Sequence, residues 1–293
     1  MAKLLAGYRN GNYRVLLFED GTKIKQTEAE CFSADFPDSI DLKITDHCEN
    51  NCPMCHERSS ASGRHGDLHH RVIESFPCGM EVAIGGGNPL SHPDLLPFLE
   101  RLKSKKIIAN LTVSAFDLER QRALLEELIR RRLVYGVGVS CLAYDDLALD
   151  FALAHPNVVL HLINGVFCPS DFRKLMGKPL KILILGYKNV GRGKDFFSPA
   201  VRERMQETER MTEELLAAFE TISFDNLALE QLAVKDKIGE ERFAKIYMGA
   251  DGEASMYVDL VREECALSSA SEERFPLGDS LREAFHHLPR AGE

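Results

Sequence analysis

Three cysteines lie close together in this sequence, at a spacing that suits a metal site. Cys48, Cys52 and Cys55 form a C-x3-C-x2-C pattern just after a short apolar run. Iron–sulfur clusters are usually held by four cysteines, so a loop with three leaves one iron of a four-iron cube without a protein ligand. An iron with an open position can bind a substrate or a cofactor. The spacing therefore predicts an iron–sulfur loop.

The same three thiols also allow a zinc site. A tetrahedral Cys3His centre would need one histidine, and four lie within reach along the chain: His47, His56, His65 and His69. In that case the loop would stabilise a binding module without any catalytic role.

A glycine-rich turn about thirty residues downstream favours the iron–sulfur interpretation. Glu81 to Ile84 reads as a short buried strand, and it runs into Gly85, Gly86, Gly87, Asn88 and Pro89. The cysteine loop and this turn, in this order, resemble the two cofactor motifs of the radical SAM superfamily. The chain departs from the usual family pattern at Met54, where an aromatic residue is common, and at Asn88, where Glu is commoner.

The resemblance implies one 4Fe–4S cluster on Cys48, Cys52 and Cys55, with S-adenosylmethionine (SAM) on the fourth iron. A reduced cluster would cleave SAM to methionine and a 5′-deoxyadenosyl radical, which abstracts a substrate hydrogen. A reductant such as flavodoxin or ferredoxin would supply the electron.

The resemblance also implies which residues line the cofactor. The SAM amino group would meet the backbone of the glycine turn. Ser140 is similar to the family's polar residue near the ribose, and His161 and Asn164 are polar interruptions of the next strand. His161 is equally consistent with a hydrogen-bonded core histidine. Catalytic residues are not identified, and the weak candidates are His56, Cys168 and Arg192.

These residues must be positioned by a repeating α/β pattern. Six strand-like runs alternate with helical stretches, which is typical of a mainly parallel sheet. Together with the resemblance, this predicts a partial (β/α)6 TIM-like barrel. The expected strands are 40–45, 81–86, 107–114, 135–141, 157–164 and 181–185.

Two extensions flank the predicted barrel at residues 37–200. Residues 1–36 alternate apolar and polar side chains around Asn10–Gly11, which predicts a β-hairpin extension. Residues 201–293 predict a small helical and hairpin extension that resembles, weakly, the SPASM or twitch domains of peptide-modifying family members. Those domains carry several cysteines for further clusters, whereas here the only cysteine after Cys168 is Cys265, so we expect a single cluster.

Composition limits the location and the partners. The net charge is −9, which argues against a broad nucleic-acid surface. No apolar run reaches the roughly 20 residues needed to span a bilayer. Eight cysteines, three of them in one loop, fit a reducing compartment. We therefore expect a cytoplasmic protein without a membrane partner.

The substrate is not evident from the sequence. The weak resemblance of the C-terminal region favours a peptide or a protein. The basic residues Lys188, Arg192 and Lys194 favour instead a nucleotide or a small anionic metabolite.

Overall fold

The structure is a computed structural model that describes residues 2–289. Met1 and residues 290–293, which belong to the two predicted extensions, lie outside the described part. The strands are β1 (Leu4–Asn10), β2 (Tyr13–Phe18), β3 (Lys23–Gln26), β4 (Ser39–Thr45), β5 (Glu81–Gly86), β6 (Ile108–Ser114), β7 (Gly136–Cys141), β8 (Val158–Ile163), β9 (Lys181–Leu185), β10 (Thr221–Phe224), β11 (Ser255–Asp259), β12 (Glu264–Ala266) and β13 (Phe275–Pro276). The helices are α1 (Leu95–Ser104), α2 (Ala115–Arg130), α3 (Asp146–Ala154), α4 (Pro169–Leu175), α5 (Gly193–Phe196), α6 (Pro199–Ala218), α7 (Asn226–Gln231), α8 (Val234–Ile238), α9 (Glu240–Ile246) and α10 (Leu281–His287). Two 3-10 turns, Arg71–Ser75 and Pro89–Ser91, complete the pattern.

The large sheet gives the molecule its mixed α/β fold. Its ten strands follow the order β10-β9-β8-β7-β6-β5-β4-β11-β12-β13. All pairs from β10 to β11 are parallel, and β12 and β13 add two antiparallel pairs at one edge. The six predicted strands are β4 to β9. The sheet goes further than that prediction, because β10 and β11 flank the six with additional parallel strands.

The apolar composition of the run from Ile222 to Leu229 predicts a strand. The structure differs in the second half of this run, because β10 ends at Phe224 and α7 follows. Asp225 explains the change, since its carboxylate accepts a hydrogen bond from the backbone N–H of Ala228 at 2.7 Å and caps the new helix. The last residues of the run therefore pack on a helix face.

Helix ends elsewhere follow the local signals. Pro97 lies in the first turn of α1, where a missing N–H costs nothing. Ser198 precedes Pro199, which predicts a helix start, and it caps α6 by accepting a hydrogen bond from Val201 N.

One ion pair on α2 differs from its prediction. Glu126 and Arg130 lie four residues apart, a spacing that predicts a pair on a helix face. In the structure Glu126 pairs instead with Arg122, at 2.8 Å.

The two faces of the sheet have different surroundings. On β4, Ile40, Leu42 and Ile44 are buried in the main hydrophobic core. The residues between them, including Asp41 and Lys43, point to the opposite face, because side chains alternate along a strand. That opposite face carries the polar groups of the site described below.

The opposite face lines a partly open cavity of about 620 Å³. The residues that line it come from six neighbouring strands and include Ala83, Thr112, Gly138, His161, Leu183 and Ser223. In a flat sheet β5 and β10 would lie about 24 Å apart, five strand spacings. Since both line one cavity, the sheet is strongly curved around it.

A small antiparallel sheet closes one end of this cavity. Its order is β1-β2-β3, and both of its strand pairs are antiparallel. The turn after β2 lines the cavity. It is tied to the large sheet by Asn157, which donates to Glu19 O at 2.9 Å, and by Lys181, which donates to Asp20 O at 3.0 Å. These contacts lie near the starts of β8 and β9, opposite the ends that carry the cysteine loop.

Among residues 2–289, no helix is both long enough and apolar enough to cross a bilayer.

Candidate functional site

The cysteine loop follows β4 and is folded back on itself by backbone hydrogen bonds. Asp46 N donates to Arg64 O at 2.8 Å, and Cys48 N donates to Ser60 O at 2.9 Å. Within the loop, Cys55 N donates to Cys52 O at 3.2 Å. These bonds fix the backbone that presents the thiols at the carboxyl end of the parallel sheet.

The three thiols are partly buried and influence one another. Burial, followed by the neighbouring Cys48 and Cys55, raises the pKa of Cys52 to about 11. Burial also raises the pKa of Cys48. Thiolates gathered in this way need a cation to neutralise them, and metal binding deprotonates a coordinating thiol. By residue type and spacing the three cysteines fit a metal cluster, while their side chains, as the structure describes them, do not surround one ion position.

A closed mononuclear site is not formed by the side chains that the structure describes. No group of three or more His, Cys, Asp or Glu residues in 2–289 is drawn together around one ion position. The histidines considered for zinc have other contacts. The ring of His47 is hydrogen-bonded to Ser91 Oγ at 3.1 Å, that of His65 to Thr45 Oγ1 at 2.9 Å, and His56 contacts Glu57 at 3.5 Å. His69 Nδ1 lies 3.5 Å from the guanidinium of Arg101.

Arg192 holds the loop from the other side. Its Nε donates to Cys52 O at 3.0 Å and its Nη2 to Ser59 O at 3.0 Å. Its backbone N–H donates to Cys55 O, also at 3.0 Å. Arg192 is one of the catalytic candidates from the sequence. In the structure its guanidinium donates hydrogen bonds to two carbonyls of the cysteine loop. Lys188, its predicted basic neighbour, donates to Ser269 Oγ at 2.7 Å, so the two cations do not converge.

The glycine turn lies directly against the loop. Gly87 N donates to Thr45 O and Asn88 N donates to His47 O, both at 2.7 Å. A Cβ on Gly86 would lie 2.5 Å from Thr45 O, and one on Gly87 would lie 2.3 Å from His47 O. These two glycines are required by the close approach of the two backbones.

Gly85 differs from the other two glycines. A Cβ placed on it would meet no atom within 4 Å. Packing within the protein therefore does not require glycine here. No protein atom fills the space beside the backbone of β5 at this position.

A buried polar network joins the turn to the loop. The Asp117 carboxylate, 2% exposed, accepts hydrogen bonds from Asn88 Nδ2 at 3.0 Å, Asn50 Nδ2 at 2.8 Å and Ser114 Oγ at 2.7 Å. Asn88 also caps the turn that begins at Pro89, accepting from Leu90 N at 3.0 Å. Asp117 was missed at the sequence level, where it reads as an ordinary helix-start residue. Asn88 thus has a structural role that its position in the motif does not predict.

His161 and Ser140 lie opposite each other on β8 and β7. The His161 ring covers Gly138, where a Cβ would come within 2.2 Å of it. The small side chains of β7 thus make room for this imidazole. Burial lowers the pKa of His161 to about 4, so the ring that faces the cavity is neutral at pH 7.

Asn164 directly follows β8 and has one unsatisfied group. Its Nδ2 donates to Gln231 Oε1 at 3.1 Å, but its fully buried Oδ1 has no hydrogen-bond partner. Gln231 in turn accepts from Tyr187 N at 2.8 Å and donates to Tyr187 O at 3.0 Å. A buried acceptor without a donor is costly, and a bound water, ion or ligand would satisfy it. Gln231 is not identified by the sequence analysis, because it carries no motif and its partners are distant along the chain.

The two remaining catalytic candidates lie in different loops. His56 follows Cys55 in the cysteine loop; it is half-buried, and desolvation together with the charge of Lys188 lowers its pKa to about 3. Cys168 lies in the loop after β8 and precedes α4, and its Sγ accepts from Ser170 Oγ at 3.2 Å. Cys168 is thus a candidate by position in the fold.

Comparison with known proteins gives a likeness of fold. No protein-family model matches the sequence, and no curated protein matches it either. The fold is similar to that of Streptococcus suis SuiB bound to precursor peptide SuiA, with a TM-score of 0.63, 10% identity, and coverage of 97% of this chain and 88% of that chain. It is also similar to SuiB bound to S-adenosylmethionine, with a TM-score of 0.58, 11% identity, and coverage of 88% and 80%. A third SuiB structure has a TM-score of 0.55 and 11% identity, with coverage of 89% and 81%.

Proposed function

We propose that this protein is a radical SAM enzyme that holds one 4Fe–4S cluster on Cys48, Cys52 and Cys55 and binds SAM beside the glycine turn. One observation carries the proposal: the loop that carries the three cysteines is hydrogen-bonded, backbone to backbone, to a glycine turn with open space at Gly85. A bound cluster supplies the electron that cleaves SAM and so starts abstraction of a substrate hydrogen.

The chain's own residues would bind and orient the cofactor. The exposed backbone of Gly85 and Gly86 would receive the polar end of SAM, while Asn88 and Asp117 hold the turn in place. The unpartnered Oδ1 of Asn164 offers an acceptor for a hydroxyl or amino group of the nucleoside part. Ser140 and the neutral ring of His161 would line the same side from β7 and β8.

The curved sheet would exclude water from the reacting atoms. We infer that it forms a partial barrel, since β5 to β10 share one cavity and the N-terminal sheet closes one end. The opposite end, where the cysteine loop lies, is then the side at which the chemistry occurs, as is usual for barrels of parallel strands.

A peptide is the substrate class that we favour. The likeness to SuiB with its precursor peptide extends over 97% of this chain, so it includes most of both extensions. A nucleotide or small anionic metabolite has less support, because Lys188 and Arg192 donate to groups of the protein. We place the reaction in the cytoplasm, with flavodoxin or ferredoxin as the reductant, because exposed thiols and a reduced cluster both require a reducing compartment.

The test is cleavage of SAM under anaerobic conditions. Reconstituted protein with dithionite should release 5′-deoxyadenosine, and Cys52→Ala should reduce this to background. Cys31→Ala is the matched control, since Cys31 is exposed and lies outside the loop. Equal product from wild type and Cys52→Ala would overturn the proposal. Zinc in place of iron, with no product, would point to the non-catalytic binding module.

A further inference from the structure

Lys43 is a buried cation for which the proposed function gives no role. Its side chain is 2% exposed, and it lies on β4 just before the cysteine loop. Its Nζ lies 2.7 Å from Asp46 Oδ1, 2.9 Å from Glu57 Oε2 and 3.0 Å from Asp259 Oδ2. The ammonium donates a hydrogen bond to Glu57 and forms ion pairs with Asp46 and Asp259.

The three carboxylates come from parts of the chain that would otherwise be independent. Asp46 lies two residues before Cys48, and Glu57 lies two residues after Cys55. Asp259 ends β11, the C-terminal strand that pairs with β4. One ammonium therefore joins both ends of the cysteine loop to the C-terminal extension.

A second set of contacts supports the same junction. Tyr257 of β11 donates its hydroxyl to Glu57 Oε1 at 2.9 Å. The guanidinium of Arg274 lies 4.9 Å from the centre of the Tyr257 ring, and it donates to Ser269 O at 2.9 Å. Lys188, from the loop after β9, reaches Ser269 Oγ. The extension thus contacts the surroundings of the site at three points.

The charges make this junction sensitive to the loss of any member. A buried ion is tolerated only when it is paired, and Lys43 pairs with all three carboxylates, so each ion pair that is lost frees one chain segment from the junction. Without Asp259, for example, the ammonium would be left with the two loop carboxylates alone.

We infer that Lys43 is a positioning residue that couples the pairing of β11 with β4 to the conformation of the cysteine loop. The loop keeps the hydrogen-bonded backbone described above only when β11 is paired with β4. The pairing of β11 with β4 depends in turn on the conformation of the loop. The coupling itself does not depend on the proposed function, whereas its consequence for the cluster rests on that proposal.

Asp259→Asn tests the coupling with little disturbance elsewhere. Asp259 Oδ1 accepts from Val261 N and Arg262 N, and an asparagine oxygen can keep both bonds while the charge is lost. In full-length, metal-free protein, hydrogen exchange of residues 46–57 should become about tenfold faster, within the usual range of coupling between sites. Asp279→Asn is the control, because Asp279 is an exposed carboxylate of the same extension, paired with Arg71. Faster exchange confined to residues 255–266 would overturn the inference.

Two further variants keep the test decisive if Asp259→Asn does not fold. Tyr257→Phe removes only the hydroxyl and should also speed exchange in the loop, whereas an unchanged loop would count against coupling. Glu57→Gln should speed exchange in β11, because coupling is reciprocal.

With cluster reconstituted, Asp259→Asn should change the electron paramagnetic resonance spectrum of the reduced cluster, and Asp279→Asn should not. An unchanged spectrum would limit the coupling to the metal-free protein and overturn its consequence for the cluster. Coupling without any release of 5′-deoxyadenosine would refute the proposed function and leave this inference standing.

Discussion

At the scale of single residues, three consecutive glycines have two different physical roles. Gly86 and Gly87 are fixed by contacts below 3 Å with the loop backbone, whereas Gly85 faces open space. Steric need explains the first two, and the proposed SAM site would give a role to the third. A substitution at Gly85 can therefore test ligand binding separately from the stability of the fold.

Gly85→Ala should separate them. The added methyl meets no protein atom, so the free energy of unfolding should stay within about 0.5 kcal/mol of wild type or rise slightly. The same methyl would occupy the space assigned to SAM, so binding of SAM to the reconstituted protein should fall at least tenfold, measured by calorimetry. Gly177→Ala is a control without neighbours, although its φ of +72° adds local strain. Unchanged SAM binding in Gly85→Ala would show that the space serves another purpose.

His161 should contribute to the pH dependence of stability. Its pKa is about 4 in the folded protein, below the ordinary value of 6.5, because burial disfavours the charged ring. Between these values the unfolded chain binds more protons, so stability is lost as the pH falls from 6.5 towards 4. The contribution is on the order of 2 kcal/mol. His161→Gln should reduce the loss of stability between pH 7 and pH 4.5, measured by urea unfolding. An identical pH profile in the variant would contradict a buried neutral ring.

At the scale of elements, sequence patterns predict what depends on neighbouring residues. The six strands from β4 to β9, the first turn of α1 at Pro97 and the cap of α6 at Ser198 all follow from local signals. The run after Ile222 was misinterpreted because its apolar residues fit a strand, while Asp225 starts a helix only through its own hydrogen bond.

The residues of the site also divide into those that local sequence patterns predict and those that depend on tertiary contacts. The cysteine spacing and the glycine turn are visible in the sequence, and the structure brings them into direct contact. Asp117, Gln231 and Lys43 could not be identified, because their partners are distant along the chain. Arg192 was noticed for its charge, but its bonds to Cys52 and Ser59 are a product of tertiary structure.

Arg192→Lys should loosen the contact between the loop after β9 and the cysteine loop. A guanidinium reaches two carbonyls at once with fixed geometry, and an ammonium on a flexible stem does not reproduce this. We expect a loss of about 1 to 3 kcal/mol in unfolding free energy, since each bond involves a charged donor. Reconstituted Arg192→Lys should also lose iron faster to a chelator. Lys194→Met, an exposed neighbour, should behave as wild type. Wild-type stability in Arg192→Lys would mean that these bonds contribute nothing net.

At the scale of the whole molecule, the remaining five cysteines are dispersed. Cys141 and Cys265 are buried on β7 and β12, which are separated by four strands in the sheet. Burial raises their pKa values to about 12 and about 11, as expected for thiols of a hydrophobic core. Cys31 and Cys78 are exposed, and Cys168 precedes α4. This arrangement agrees with the expectation of one cluster.

The iron content should therefore be about four per chain. Replacing Cys48, Cys52 and Cys55 together by alanine should bring it close to zero, measured on anaerobically reconstituted protein. The triple change of Cys31, Cys78 and Cys168 to alanine should keep it near four. Four irons retained without the loop cysteines would reveal a second cluster and a different interpretation of the C-terminal extension.

The pairing of β4 with β11 also has a consequence during protein synthesis. Lys43 and Asp259 are 216 residues apart. At 5 to 20 residues per second, a ribosome needs roughly 10 to 40 s to add the residues between them. During most of that interval the nascent chain has its three loop thiols but not β11, the strand that pairs with β4. The ion pair between Lys43 and Asp259 can therefore form only late in synthesis, after all the strands from β4 to β10 have been made.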